Sequence, residues 1–125
     1  MALETAPEFD ATATARHLLR TAFQGALGTL DPDSGAPHVS LVTVATLPDG
    51  APVLLLSDLA VHTRNLKADP RVSLMISEPV RPGDPLALAR VAIAGRIART
   101  EDPAARRRFL ARHRDAAAYA AFPDF

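Results

Sequence analysis

In LLLSDLAVHTRNLKADP, residues 54–70, a run of leucines ends at Ser57, and His62, Thr63, Arg64 and Asn65 follow within one short span. A hydroxyl, an imidazole, a guanidinium and an amide gathered where a buried strand stops are the groups that would hold an anion. A helix beginning here adds free backbone amides and the positive end of its dipole, both of which favour phosphate. Arginine adds bidentate contacts that lysine does not reproduce. If the helix starts at Leu59, a turn of about 100° per residue sets His62 and Thr63 beside the stripe from Leu59 to Leu66 and turns Arg64 away. If it starts nearer His62, Arg64 reaches the same anion. The plainer alternative is a connecting helix in which Leu59 and Leu66 pack and the polar residues are solvated.

Other chemistries find less material. No serine sits in a Gly-x-Ser-x-Gly elbow, and no two carboxylates are spaced on one element for acid-base work. His17, His38, His62 and His113 are scattered without metal-ligand spacing, and the chain has no cysteine, so neither a thiolate nucleophile nor a zinc site is expected. Arg90 and Arg96 share one face of a strand and suit either solvent or an interface. The run ARRRFLARHR, residues 105–114, spreads its charge around a helix, which favours a solvated face over a nucleic-acid stripe.

The elements that must position these residues follow from patterning. Asp10 or Thr12 can cap a first helix with Ala15, Leu18, Leu19, Ala22 and Phe23 at helical spacing, stopped near Gly25. ALGTLD reads as a strand, PDSG as a turn, and PHVSLVTVATL as one long strand with Val39 and Leu41 on one face and His38, Ser40 and Val42 on the other. PDG signals a hairpin into APVLLLS, an apolar strand expected to be covered on both sides and paired antiparallel with the strand before it. RVSLMIS puts Val72, Leu74 and Ile76 inward. EPVRPGDP is a loop leading to a strand with Val91, Ile93 and Ile97 opposite Arg90 and Arg96. The C-terminal helices, residues 102–122, begin at Asp102 with Pro103 first and break near Arg114. The whole is one domain over residues 1–125, mainly β with flanking helices, with residues 1–10 as a loose arm. Five short strands suggest a small antiparallel barrel whose interior takes the apolar faces.

Fourteen basic residues balance fourteen acidic ones, so no long-range field draws this chain to nucleic acid or to a membrane surface. Any anion must be caught locally. MALETAPEFD is neither a signal peptide nor an anchor, and the lack of cysteine suits a reducing compartment, so the expected location is cytoplasmic.

The segments GAPHVSLVTVA, LLLSDLAVHTRNLKADPRVSLMI and ARVAIAGRIART together resemble the pyridoxamine 5'-phosphate oxidase-like split-barrel family, within it the branch of haem-utilisation proteins. The likeness runs from about Ala15 to Phe125, and its most specific part is the ordered string Ser57, His62-Thr63-Arg64-Asn65-Leu66, Asp69-Pro70-Arg71, Ser73-Leu74. The resemblance implies a homodimer of split β-barrels that binds FMN along the subunit interface. By position, Ser57, His62, Thr63, Arg64 and Asn65 match the phosphate-binding segment. Ser40, Val42 and Thr43 match the strand along the flavin, and Arg90 matches a position that meets the flavin from the other subunit. Ser40 and Ala45 stand where pyridoxamine phosphate oxidases carry an arginine and a lysine, and the substrate-binding C-terminal segment of those enzymes is not matched, which argues against that activity. Haem-degrading relatives carry a further C-terminal domain with the iron-ligating histidine, and this sequence stops at FPDF before it. The resemblance therefore implies an FMN-dependent oxidoreductase of unknown substrate, with haem binding at the same interface, through a histidine such as His62, or a cofactor-free dimer as alternatives.

Overall fold

The computed structural model describes residues 9–125. Most of the arm expected over residues 1–10 lies outside them, and Asp10 instead belongs to the first helix, where its carboxylate accepts the amide of Ala13. That helix, α1 (Ala11–Thr21), buries Leu18 and ends before Gly25, which lies inside the first strand rather than stopping the helix.

Four strands form one antiparallel sheet in the order β2-β1-β5-β6, made of β1 (Gln24–Leu30), β2 (Pro37–Thr43), β5 (Arg71–Ser77) and β6 (Arg90–Arg96). A two-stranded sheet pairs β3 (Ala45–Thr46) with β4 (Pro52–Val53) around the expected PDG turn, where Gly50 takes a φ of 91°. The short helix α2 (Val61–Ala68) separates β4 from β5, and α3 (Pro103–Arg112) starts at its Asp102 cap and breaks at His113 before a 3-10 turn at Arg114–Ala118. The loop before β6 holds another 3-10 turn, Pro85–Ala87. The result is mainly β with three helices. Among the described residues the strands do not close into a barrel, because Leu54 to Ser57 and the segment after Arg96 run without ladder partners.

Two expectations need correction. The single strand over residues 37–47 is two strands with a break at Val44. Val44, Ala45 and Thr46 are buried in succession, as a chain passing from one sheet to the other must be, whereas an unbroken strand would alternate. The faces of β2 are also reversed: Val39 and Leu41 are 68 % and 71 % exposed, while His38, Ser40 and Val42 turn inward. The register explains this. Val42, Ser40 and His38 lie opposite Gly25, Leu27 and Thr29, the buried set of β1, so Val39 and Leu41 fall opposite Gly28 and Ala26 on the other side. Inward Leu74 and Ile76 of β5, and the placement of Val91 and Ile93 opposite Arg90 and Arg96 on β6, follow the sequence pattern.

The main core joins Leu18, Leu27, Val42, Val44, Leu74 and Ile76 between the sheet and the helices. A second cluster, Ala45, Phe109 and Ala116, fastens α3 to the small sheet. Arginines of the basic run reinforce this second junction. Arg108 donates to the carbonyl of Thr46 at 2.6 Å, Arg106 to that of Ala120 at 2.7 Å, and Arg112 to Thr21 and Ala22 while lying 4.3 Å over the Phe23 ring. The run thus keeps the largely exposed face expected of it, while Arg106, Arg108 and Arg112 also anchor to backbone carbonyls. No helix among the described residues is long and apolar enough to cross a membrane.

Close approach between β1 and β5 makes one glycine irreplaceable. A Cβ on Gly25 would lie 2.9 Å from the carbonyl oxygen of Met75 and 3.0 Å from Leu74, whereas one on Gly28 meets nothing nearer than 3.5 Å. Gly25→Ala is expected to destabilise the fold by about 1–3 kcal/mol through overpacking against backbone. Gly28→Ala is expected to change stability by less than about 0.5 kcal/mol. Denaturant midpoints for the two variants check this, and equal midpoints would refute the close packing.

Candidate functional site

Helix α2 begins at Val61, with Ala60 as an N-cap that offers no side-chain hydrogen bond. Leu59 thus falls outside the helix and is 85 % exposed, while Leu66 packs against the core. The late start meets the condition under which Arg64 would turn toward an anion. Its side chain nevertheless stays largely exposed, 4.0 Å from Asp31. Thr63 and Asn65 are the buried members, at 8 % and 0 % exposure, and His62 is half-buried.

Two hydrogen bonds lock this helix to the inner face of the sheet. Asn65 Nδ2 donates to Thr29 Oγ1 at 3.1 Å in β1, and His62 Nδ1 lies 3.0 Å from Ser40 Oγ in β2. His62 and Asn65, three apart, share the helix face that meets the sheet. Three buried side-chain atoms in the described structure have no partner: His62 Nε2, Thr63 Oγ1 and Asn65 Oδ1. They are close neighbours on α2. Leaving such groups unpaired costs about 1–3 kcal/mol each, so a fold that retains three together invites a functional reason. Burial lowers the His62 pKa from its ordinary value, and the nearby charge of His38 lowers it further. The ring is therefore neutral near pH 7, with its Nε2 uncommitted to any protein group.

The remaining predicted positions are spread around this centre. Ser57 donates its hydroxyl to Asp124 Oδ2 at 2.8 Å and accepts the amide of Leu59, so a carboxylate already lies at the mouth of the helix. Val42 is part of the main core, and Thr43, the next residue on β2, is exposed on the opposite side of the strand. Arg90 begins β6 at the far edge of the sheet and donates to the carbonyls of Leu86 and Leu88. Within one chain, then, Ser40, His62 and Asn65 come together on the sheet side of α2, Thr63 is buried where the helix borders a cavity, and Ser57, Arg64, Val42, Thr43 and Arg90 do not join them. Thr29 completes the cluster and was not among the sequence candidates. Its signal was slight, a single threonine in the short strand ALGTL, recognisable only once α2 is placed over it.

An antiparallel sheet crossed on one face by α1 and α2, with this polar bridge beneath α2, defines the fold class. The chain belongs to the pyridoxamine 5'-phosphate oxidase family, whose sequence profile matches residues 11–124. It is 41 % identical to a solved heme binding protein from Mycobacterium smegmatis, covering 96 % of this chain and 50 % of that one with a TM-score of 0.85. It is 32 % identical over 111 residues to the chloroplastic heme oxygenase HOZ of Arabidopsis thaliana, covering 88 % of this chain. This chain spans about a third (35 %) of the length of that relative. The heme storage protein HutZ of Vibrio cholerae shares the fold, with a TM-score of 0.65 at 20 % identity over 88 % of this chain and 81 % of that one.

Asn65 and Thr29 offer a direct test of the bridge. Asn65→Ala leaves the Thr29 hydroxyl unpaired and opens a void, and is expected to cost about 1–3 kcal/mol. Adding Thr29→Val should cost less than the sum of the two single changes, because the orphaned hydroxyl is removed with its partner. Chemical unfolding of the four proteins in the cycle measures the coupling, and strict additivity would mean that the bond contributes nothing.

Proposed function

We propose that this chain is a haem-binding protein that acts as a homodimer. The observation that carries the reading is His62 Nε2, a buried imidazole nitrogen that is neutral near pH 7 and bonded to no protein group. Neutral imidazole is the form that ligates iron. Its Nδ1 contact with Ser40 fixes the ring from behind, as a ligating histidine requires. The kinship with a heme binding protein and a heme oxygenase supports the same reading. His62, Ser40 and Asn65 would hold the group, and the iron, when bound, supplies redox chemistry. This nitrogen is closed off from solvent, so ligation requires α2 to part from β2 at this point.

The outer face of the sheet supports the dimer. Leu41, Ala26, Met75 and Ala92 form one cross-strand row, and Val39, Gly28, Ser73 and Ala94 form the next. Val39, Leu41 and Met75 are exposed in these two uncharged rows, which form an apolar centre flanked by Arg71 and Arg96 on one side and Arg90 on the other.

A second reading, FMN binding with oxidoreductase activity on an unidentified substrate, is favoured by the uncapped amides of α2 beside the Ser57 hydroxyl. It fits less well, because Ser57 already bonds Asp124 and a phosphate would have to displace that carboxylate.

Titrating the purified protein with haemin is expected to shift the Soret band to saturation, with the shift lost in His62→Ala and kept in His17→Ala, which alters an exposed residue of α1. Retention of FMN with no Soret shift would replace haem by flavin, and binding of neither would leave a cofactor-free dimer. The dimer has its own check. Leu41→Asp is expected to convert the wild-type dimer to monomer in sedimentation velocity while leaving the far-ultraviolet circular dichroism unchanged, and a monomeric wild type would remove the interface.

A further inference from the structure

The other face of α2 borders a cavity of about 710 Å³. Its walls are mostly apolar, built by Leu55 and Leu56 of the unpaired leucine segment, Leu66 of α2, Phe109 and Leu110 of α3, and Phe125. The volume lies within the range of small-molecule sites. Two polar features do not suit a merely imperfect core. Thr63, 8 % exposed, lines the cavity with an Oγ1 that has no partner. A valine of the same shape would fill this place without an unpaired hydroxyl. Arg106 also lines the cavity, with one guanidinium nitrogen held at 2.7 Å by the carbonyl of Ala120. Among the described residues no carboxylate comes within 4.0 Å of Arg106, whereas the other two cations of the lining, Lys67 and Arg99, are paired with Asp58 and Glu101.

We propose that this cavity binds a small monocarboxylate with an apolar tail. The leucine and phenylalanine walls take the tail. The remaining guanidinium donors of Arg106 balance the carboxylate, and the Thr63 hydroxyl gives its unused hydrogen bond to an oxygen of the same ligand. The site is independent of the haem reading: it lies on the Thr63–Leu66–Lys67 face of α2, while His62 and Asn65 face the sheet. The leucine segment and the C-terminal residues that enclose it are joined through Ser57 and Asp58, both bonded to Asp124.

Sodium decanoate and decanol are suitable probes, followed by methyl NMR of the full chain. Decanoate is expected to shift the methyl signals of Leu55, Leu56 and Leu66 in a saturable way while leaving those of Val39 and Leu41 in place. Thr63→Val should weaken decanoate binding several-fold without loss of fold. Arg106→Gln should weaken decanoate about tenfold or more and leave decanol unchanged, since only the acid carries the charge. Shifts confined to Val39 and Leu41 would mean adsorption on the outer sheet face and would overturn the proposal. Equal sensitivity of decanoate and decanol to Arg106→Gln, or wild-type affinity in both variants, would overturn it as well. Haemin binding by Arg106→Gln should match wild type, which separates failure of this site from failure of the haem reading.

Discussion

The hydrogen bonds that tie α2 to the inner face of the sheet govern the rest of the arrangement. Asn65 is fully buried, and an amide in that position is tolerable only if its polar atoms find partners. Thr29 supplies one, and Ser40 does the same for His62. With Ser40 presented inward, the alternation of β2 sends Val39 and Leu41 outward and leaves them exposed. The polar contacts under α2 thus lie on the same side of the sheet that the strand register makes core.

A second constraint joins the two halves of the molecule. The end of α3 reaches carbonyl groups at three chain reversals: Arg112 at the end of α1, His113 Nε2 at Val44 where β2 passes into β3, and Arg108 at Thr46. These carbonyls lie at the end of α1, at the β2–β3 junction and in β3 opposite Pro52, which has no N–H to donate, and side-chain N–H groups supply their partners. Phe23, Phe109 and His113 pack around the same point. A run of arginines that resembles a nucleic-acid patch in one dimension fastens α3, in three, to the end of α1, the small sheet and the C-terminal turn.

Helix α2 consequently has two chemical faces. Toward the sheet it offers a neutral imidazole and a buried amide; toward the cavity it offers a hydroxyl among leucines. Unpaired polar atoms on both faces, in a protein whose other buried polar side chains are mostly satisfied, concentrate ligand chemistry on eight residues.

Local patterning in the sequence determined the elements: Asp10 and Asp102 as caps, the PDG hairpin, the alternation of Leu74 and Ile76, and the break after Arg112 all depend on residues within a few positions of one another. It also gathered Ser57 and His62 to Asn65 into one candidate segment, with His62 and Thr63 as the pair that helical spacing sets beside the apolar stripe. What the tertiary structure decided were the choices between equivalent local answers. Period-two alternation divides β2 into two faces without saying which is inside; the register against Gly25, Leu27 and Thr29 settles it. Likewise Arg64, Ser57 and Arg90 carry the right groups for an anion, but Asp31, Asp124 and the Leu86 carbonyl engage them, partners from 4 to 67 residues away along the chain. Residue type and spacing specify what a side chain can do, and only packing across the chain specifies which partner it meets.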